Sequence, residues 1–135
     1  MKRSILFLVA GIAAPLLASC SPPMIEIIIY EDGSQTRADL SQDWGVVFSD
    51  KRAPCVESVT LYPVGKFSGR AAWSGKAVWE VRVDKSVWCK DLGTVVVGQT
   101  PRGFKEVTAL PPGSAGEYKL VIRGAGVGEA SLGLD

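Results

Sequence analysis

The chain has 135 residues, 15 cationic and 14 acidic side chains, a formal net charge of +1 and no histidine. A near-neutral balance offers no basic field for nucleic acid. The missing histidine excludes Ser-His-Asp and Cys-His catalytic sites and weakens any case for a zinc or copper centre. The length suits one domain rather than two.

The first element is an export segment. Met1-Lys2-Arg3-Ser4 supplies two cations, and an apolar run from Ile5 to Leu17 follows. That is the charged and apolar order of a secretory signal peptide. The run is about 13 residues, short of the roughly 20 that a transmembrane helix needs, and Pro15 interrupts it. It ends in Leu17-Ala18-Ser19-Cys20. This stretch resembles the lipobox of bacterial lipoproteins: an aliphatic residue, two small residues and a cysteine. The resemblance implies a diacylglycerol thioether on Cys20, cleavage before it, and acylation of the freed amine. Several acyl chains meet the requirement that stable anchoring takes more than one lipid. Residues 1–19 are then a cleaved helical signal peptide, 20–23 an acylated cysteine with a short tether, and 24–135 a single domain. Loss of Lys2 and Arg3 moves the formal charge from +1 to −1. Ser21, where some bacteria use an aspartate to retain lipoproteins at the inner membrane, fits an outer-membrane destination.

Lipidation of Cys20 leaves Cys55 and Cys89. An even remainder in an exported chain reads as one disulfide. A redox pair or metal site is the competing reading, but redox pairs are usually close in sequence, as in C-x-x-C.

Ser21-Pro22-Pro23 is short and stiff. Met24 to Tyr30 reads as a strand rich in β-branched residues, and Glu31-Asp32-Gly33-Ser34 as a turn. Trp44 to Phe48 reads as a strand, Ser49 to Pro54 as polar turn, and Cys55 to Tyr62 as a strand. Pro63 to Lys76, with Gly65, Gly69 and Gly75, reads as a long hairpin loop. Val78 to Asp84 alternates cleanly, with Trp79, Val81 and Val83 on one face. Thr94 to Val97 is a buried-strand candidate, and Gln99 to Phe104 is a loop. Leu110-Pro111-Pro112-Gly113 ends an element. Tyr118, Leu120 and Ile122 alternate in a strand, Gly124 to Gly128 turns, and Ala130 to Leu134 closes the domain. About seven or eight short antiparallel strands without a helix after the leader predict an all-β fold, a small β-sandwich.

Leu110, Pro112, Tyr118, Leu120 and Ile122 together resemble the corner before the penultimate strand of immunoglobulin-like and fibronectin-type sandwiches. There a tyrosine hydroxyl ties back to the backbone of the preceding loop. Here the spacing is longer, no cysteine follows Tyr118 by two residues, and Cys55 and Cys89 lack the inter-sheet placement, so the family stays open.

No cofactor and no metal are expected. The glycines form neither a phosphate-binding loop nor a dinucleotide fingerprint. Asp32, Asp39, Asp43, Asp50 and Glu57 are scattered, and surface solvation outweighs a paired-carboxylate hydrolase. Among the tryptophans, Trp79 belongs to the core. Trp73 lies in the 63–76 loop with Lys66, Arg70 and Lys76; the trio of Arg70, Trp73 and Lys76 is the candidate partner contact, against a reading in which Trp73 folds back over the sandwich edge and the cations solvate the loop. The expectation is a non-enzymatic lipoprotein facing the periplasm, bound to membrane by its lipid and to an envelope protein or glycan by its domain. The alternative is a ligand-binding or enzyme-inhibitor module acting through the 63–76 loop.

Overall fold

A computed structural model describes residues 23–64 and 75–135. The fold is all-β: among the described residues, ten strands form two antiparallel sheets. Strand β1 (Ile25–Asp32) turns at Gly33-Ser34 into β2 (Gln35–Asp43), with Asp32 opposite Gln35. β1 covers one side of β2 along its whole length. The other side is shared by β3 (Lys51–Arg52), against Gln42 and Asp43, and β7 (Thr94–Val96), against Arg37 to Asp39. Between these two short partners the Leu40 amide donates to the Gly93 carbonyl at 2.8 Å, so the ladder stays satisfied.

The second sheet runs β10 (Val127–Leu134), β9 (Gly116–Gly124), β4 (Cys55–Pro63), β5 (Trp79–Val83), β8 (Phe104–Thr108). The short β6 (Lys90–Asp91) pairs with the first two residues of β4, on the side where β5 pairs further along. The core lies between the sheets. Ile25, Ala38, Leu40 and Val95 come from the first sheet; Val59, Leu61, Trp79, Val81, Leu120, Ile122 and Leu132 come from the second. Alternation along β5 works as its sequence suggests: Trp79 and Val81 are buried, Val83 is half-buried, and Arg82 is exposed.

The sheets approach each other where the described chain begins. Met24 bridges Val127 in parallel, and the Val127 amide donates to the Pro23 carbonyl at 3.2 Å. A side chain at position 126 would put its Cβ 2.3 Å from that carbonyl, so only glycine admits this approach. Pro23 therefore docks at the β9–β10 turn, at one end of the sandwich.

Register sorts the loops into two groups. The Pro23 end, called proximal below, carries the β2–β3 connection, the start of β4 with Cys55, and the β9–β10 turn. The distal end carries the β1–β2 turn, the β4–β5 connection and the loop before β9. In that loop the Tyr118 hydroxyl donates to the Ser114 carbonyl at 2.8 Å, the backward tie expected of a tyrosine corner.

Two expectations need correction. Among the described residues the strands number ten rather than seven or eight: the sequence pattern does not mark β2 or the short β3, β6 and β8. The Trp44–Phe48 run is no strand: it is an exposed loop between β2 and β3. The leader and most of the 63–76 loop lie outside the described residues.

Candidate functional sites at the two ends of the sandwich

Cys55 and Cys89 are bonded, with their Cα atoms 5.3 Å apart. Cys55 opens β4 and Cys89 immediately precedes β6, which pairs with β4. The bridge thus staples the connection after β5 onto the start of β4. Cys20 lies outside the described residues, as do Arg70 and Trp73. Lys76 is described and exposed, two residues before the Val78 amide donates to the Leu61 carbonyl at 2.9 Å. On the other flank the Val64 amide donates to Glu117 at 3.0 Å, so the loop that holds all three springs from the distal end.

The distal end also has an open groove of about 560 Å³, lined among others by Glu31, Gln35, Val97, Leu110, Pro112 and Leu134. Its described lining carries the carboxylates of Glu31 and Asp135 and no cation. Glu31 accepts from the Thr36 hydroxyl at 2.9 Å, which spends part of its bonding capacity within the fold.

The proximal end carries the feature that the sequence pattern hid. Residues 44–50 form a closed loop: the Trp44 amide donates to the Asp50 carbonyl at 3.0 Å. The Asp43 carboxylate organises its interior. Oδ1 accepts from the amides of Gly45 and Asp50, both at 2.9 Å, and Oδ2 accepts from the Ser49 hydroxyl at 2.9 Å. The Asp50 amide first, then the Gly45 amide and the Ser49 hydroxyl, hold this carboxyl below its ordinary range. A Cβ on Gly45 would stand 1.6 Å from the Phe48 carbonyl oxygen, so the backbone closes only over glycine. What this scaffold displays is apolar: Val46 is 99% exposed, Val47 83% and Phe48 85%. Trp44 at the loop base and Met24 beside Pro23 are exposed too.

The charges around this loop are already paired. Lys51 binds Glu26 at 3.0 Å and Arg52 binds Asp50. Each pair stabilises its own charged forms: Glu26 and Asp50 are held below the usual carboxylate range, while Lys51 and Arg52 are raised. The loop therefore presents hydrocarbon flanked by neutralised ion pairs, and no basic patch.

Of the carboxylates considered for catalysis, Asp43 and Asp50 serve this loop, and Asp39 accepts from Tyr30 and Thr94 at 3.2 and 3.1 Å. Among the described residues no group of three or more His, Cys, Asp or Glu side chains could hold a metal ion. No described helix is long and apolar enough to cross a membrane. Fold and bridge together define a small disulfide-bonded all-β sandwich. No protein-family model, curated protein or solved structure matches the chain.

Proposed function

We propose that the protein is a non-enzymatic lipoprotein of the bacterial envelope, held by acyl chains on Cys20 and offering its sandwich to another envelope component. The observation that carries this reading is the Cys55–Cys89 bridge. Disulfides persist in exported compartments, which is where a leader of charged and apolar segments sends a chain. The bridge uses two of the three cysteines and leaves Cys20 as the one remaining thiol, at the position the Leu17-Ala18-Ser19-Cys20 motif requires. The tether supports the same reading. Pro23 is docked on the domain three residues after Cys20, so the sandwich stands within about 10 Å of its anchor. In this reading the protein faces the periplasm, and Ser21 favours the outer membrane.

The partner, an envelope protein or a glycan, engages the distal end through Arg70, Trp73 and Lys76. Support comes from the position of the loop's two flanks, opposite the anchored end, and from the pairing of a large aromatic with cations. Co-purification from detergent-solubilised membranes tests it. Trp73→Ala is expected to lose the co-purifying component, weakening association by about 1 kcal/mol or more, with little change in melting temperature. A fall in stability of roughly 3–5 kcal/mol would make Trp73 a core plug and remove the site. The second reading, a module that binds a soluble ligand or inhibits an enzyme through the 63–76 loop, is favoured by the groove at the same end.

A further inference from the structure

We infer that the loop from Trp44 to Asp50 is a second membrane contact, an apolar finger that enters the bilayer interface beside the lipid anchor. The inference rests on the anchored reading of Cys20 and adds an orientation to it.

Register places the finger. Ile25 lies opposite Gln42, so Pro23 is level with Trp44. Residues 45–49 then project past Pro23, beyond the proximal end of the sandwich. Cys20 is three residues before Pro23, within about 10 Å of it. Acyl chains on Cys20 put the bilayer at this end, and the tether is too short to let the domain stand away from it.

The side chains suit that position. Val46, Val47 and Phe48 are exposed far beyond what isolated surface hydrophobes show, and they are consecutive at a tip. Trp44 stands at the loop base, where an amphipathic ring matches the headgroup level. The tip is also rigidly built. Three hydrogen bonds to Asp43 and the glycine at position 45 hold the hydrocarbon outward, where a pliant loop would fold it back on the sandwich. The cations that flank the loop in sequence, Lys51 and Arg52, are committed to Glu26 and Asp50, so their attraction to anionic headgroups is not the driving force. Apolar insertion is, and it is insensitive to salt.

The test uses the mature protein purified from membranes and reconstituted in vesicles of phosphatidylethanolamine and phosphatidylglycerol with brominated acyl chains. Trp44 emission, isolated by difference against Trp44→Phe, is expected to be quenched by the bromolipid and shielded from aqueous iodide, equally at low and at high salt. The triple variant Val46→Ser, Val47→Ser, Phe48→Ser alters side chains that face solvent, and its circular dichroism should match the parent. It is expected to stay in the membrane fraction while losing roughly half or more of that quenching. Acylated protein whose Trp44 is open to iodide and untouched by bromolipid overturns the insertion and leaves the anchor standing. Trp44 shielded from both quenchers, with a dimer on sedimentation in detergent, assigns the finger to a second copy and overturns it too. Absence of lipid on Cys20 overturns the anchored reading and, with it, the reason for siting a bilayer here.

Discussion

Two residues show how single polar groups set local structure here. The Tyr118 ring is buried while its hydroxyl donates to Ser114, tying the loop before β9 to the strand. Tyr118→Phe keeps the ring and removes the bond. It should cost about 1 kcal/mol, with the denaturant m-value unchanged, and lower the melting temperature by roughly 4 °C. Asp43 does for the proximal loop what Tyr118 does for the distal corner, but with a charge. Its pKa is lowered in the folded state, by backbone amides above all. A carboxyl with a depressed folded pKa contributes order at and above the ordinary carboxylate pKa, near 4, and loses it as pH falls through the lower folded value. The amides of Gly45 and Asp50 should therefore stay protected from hydrogen exchange at neutral pH and lose protection on acidification below about pH 4. Core amides of β4 and β9 should not follow. Asp43→Asn should abolish the dependence, whereas unchanged protection of Gly45 and Asp50 down to about pH 3 would show that the carboxylate does not hold the loop.

At the scale of elements, the bridge is the strongest local constraint. It joins residues 34 apart in sequence, and the chain-entropy model assigns such a closure about 4 kcal/mol. Replacing both cysteines by serine should lower unfolding free energy by about that amount in urea titrations. A loss below about 1 kcal/mol would show that β4–β6 pairing holds the connection unaided. The elements also differ in how far the sequence shows them. β5 was legible because Trp79, Val81 and Val83 alternate with charged neighbours, a pattern that only a half-buried strand requires. β9 was legible for the same reason. β2 was not: its inward positions are Thr36, Ala38, Leu40 and Gln42, all buried, and two of them are polar. Hydrophobic periodicity cannot mark a strand whose inner face is partly hydrophilic. The Trp44–Phe48 run failed in the opposite sense. Consecutive apolar residues read as a buried strand, yet Asp43 and Gly45 bend them into a loop and leave them in solvent. The tell was chemical rather than periodic: an aspartate and a glycine bracketing a tryptophan, which is turn chemistry. Of the sites, the cysteine pair was visible from arithmetic and compartment. The finger was visible only once burial contradicted composition.

At the scale of the whole molecule, the sandwich has two unlike ends. Pro23 and the Val46–Phe48 tip share one, and the Lys76 flank and the open groove share the other. An anchored protein with a tether this short cannot tumble freely. In the anchored reading proposed above, the proximal end faces the bilayer and the distal end faces outward. The division of labour between the ends therefore depends on the proposed acylation of Cys20. Intact-mass and fragment-ion analysis of the protein isolated from the membrane fraction tests it most directly. The expected result is a mature chain beginning at Cys20, with a diacylglycerol thioether and an acylated amine, and an unlipidated precursor in Cys20→Ala. A mature amino terminus at another residue, or a Cys20 thiol without lipid, would contradict it.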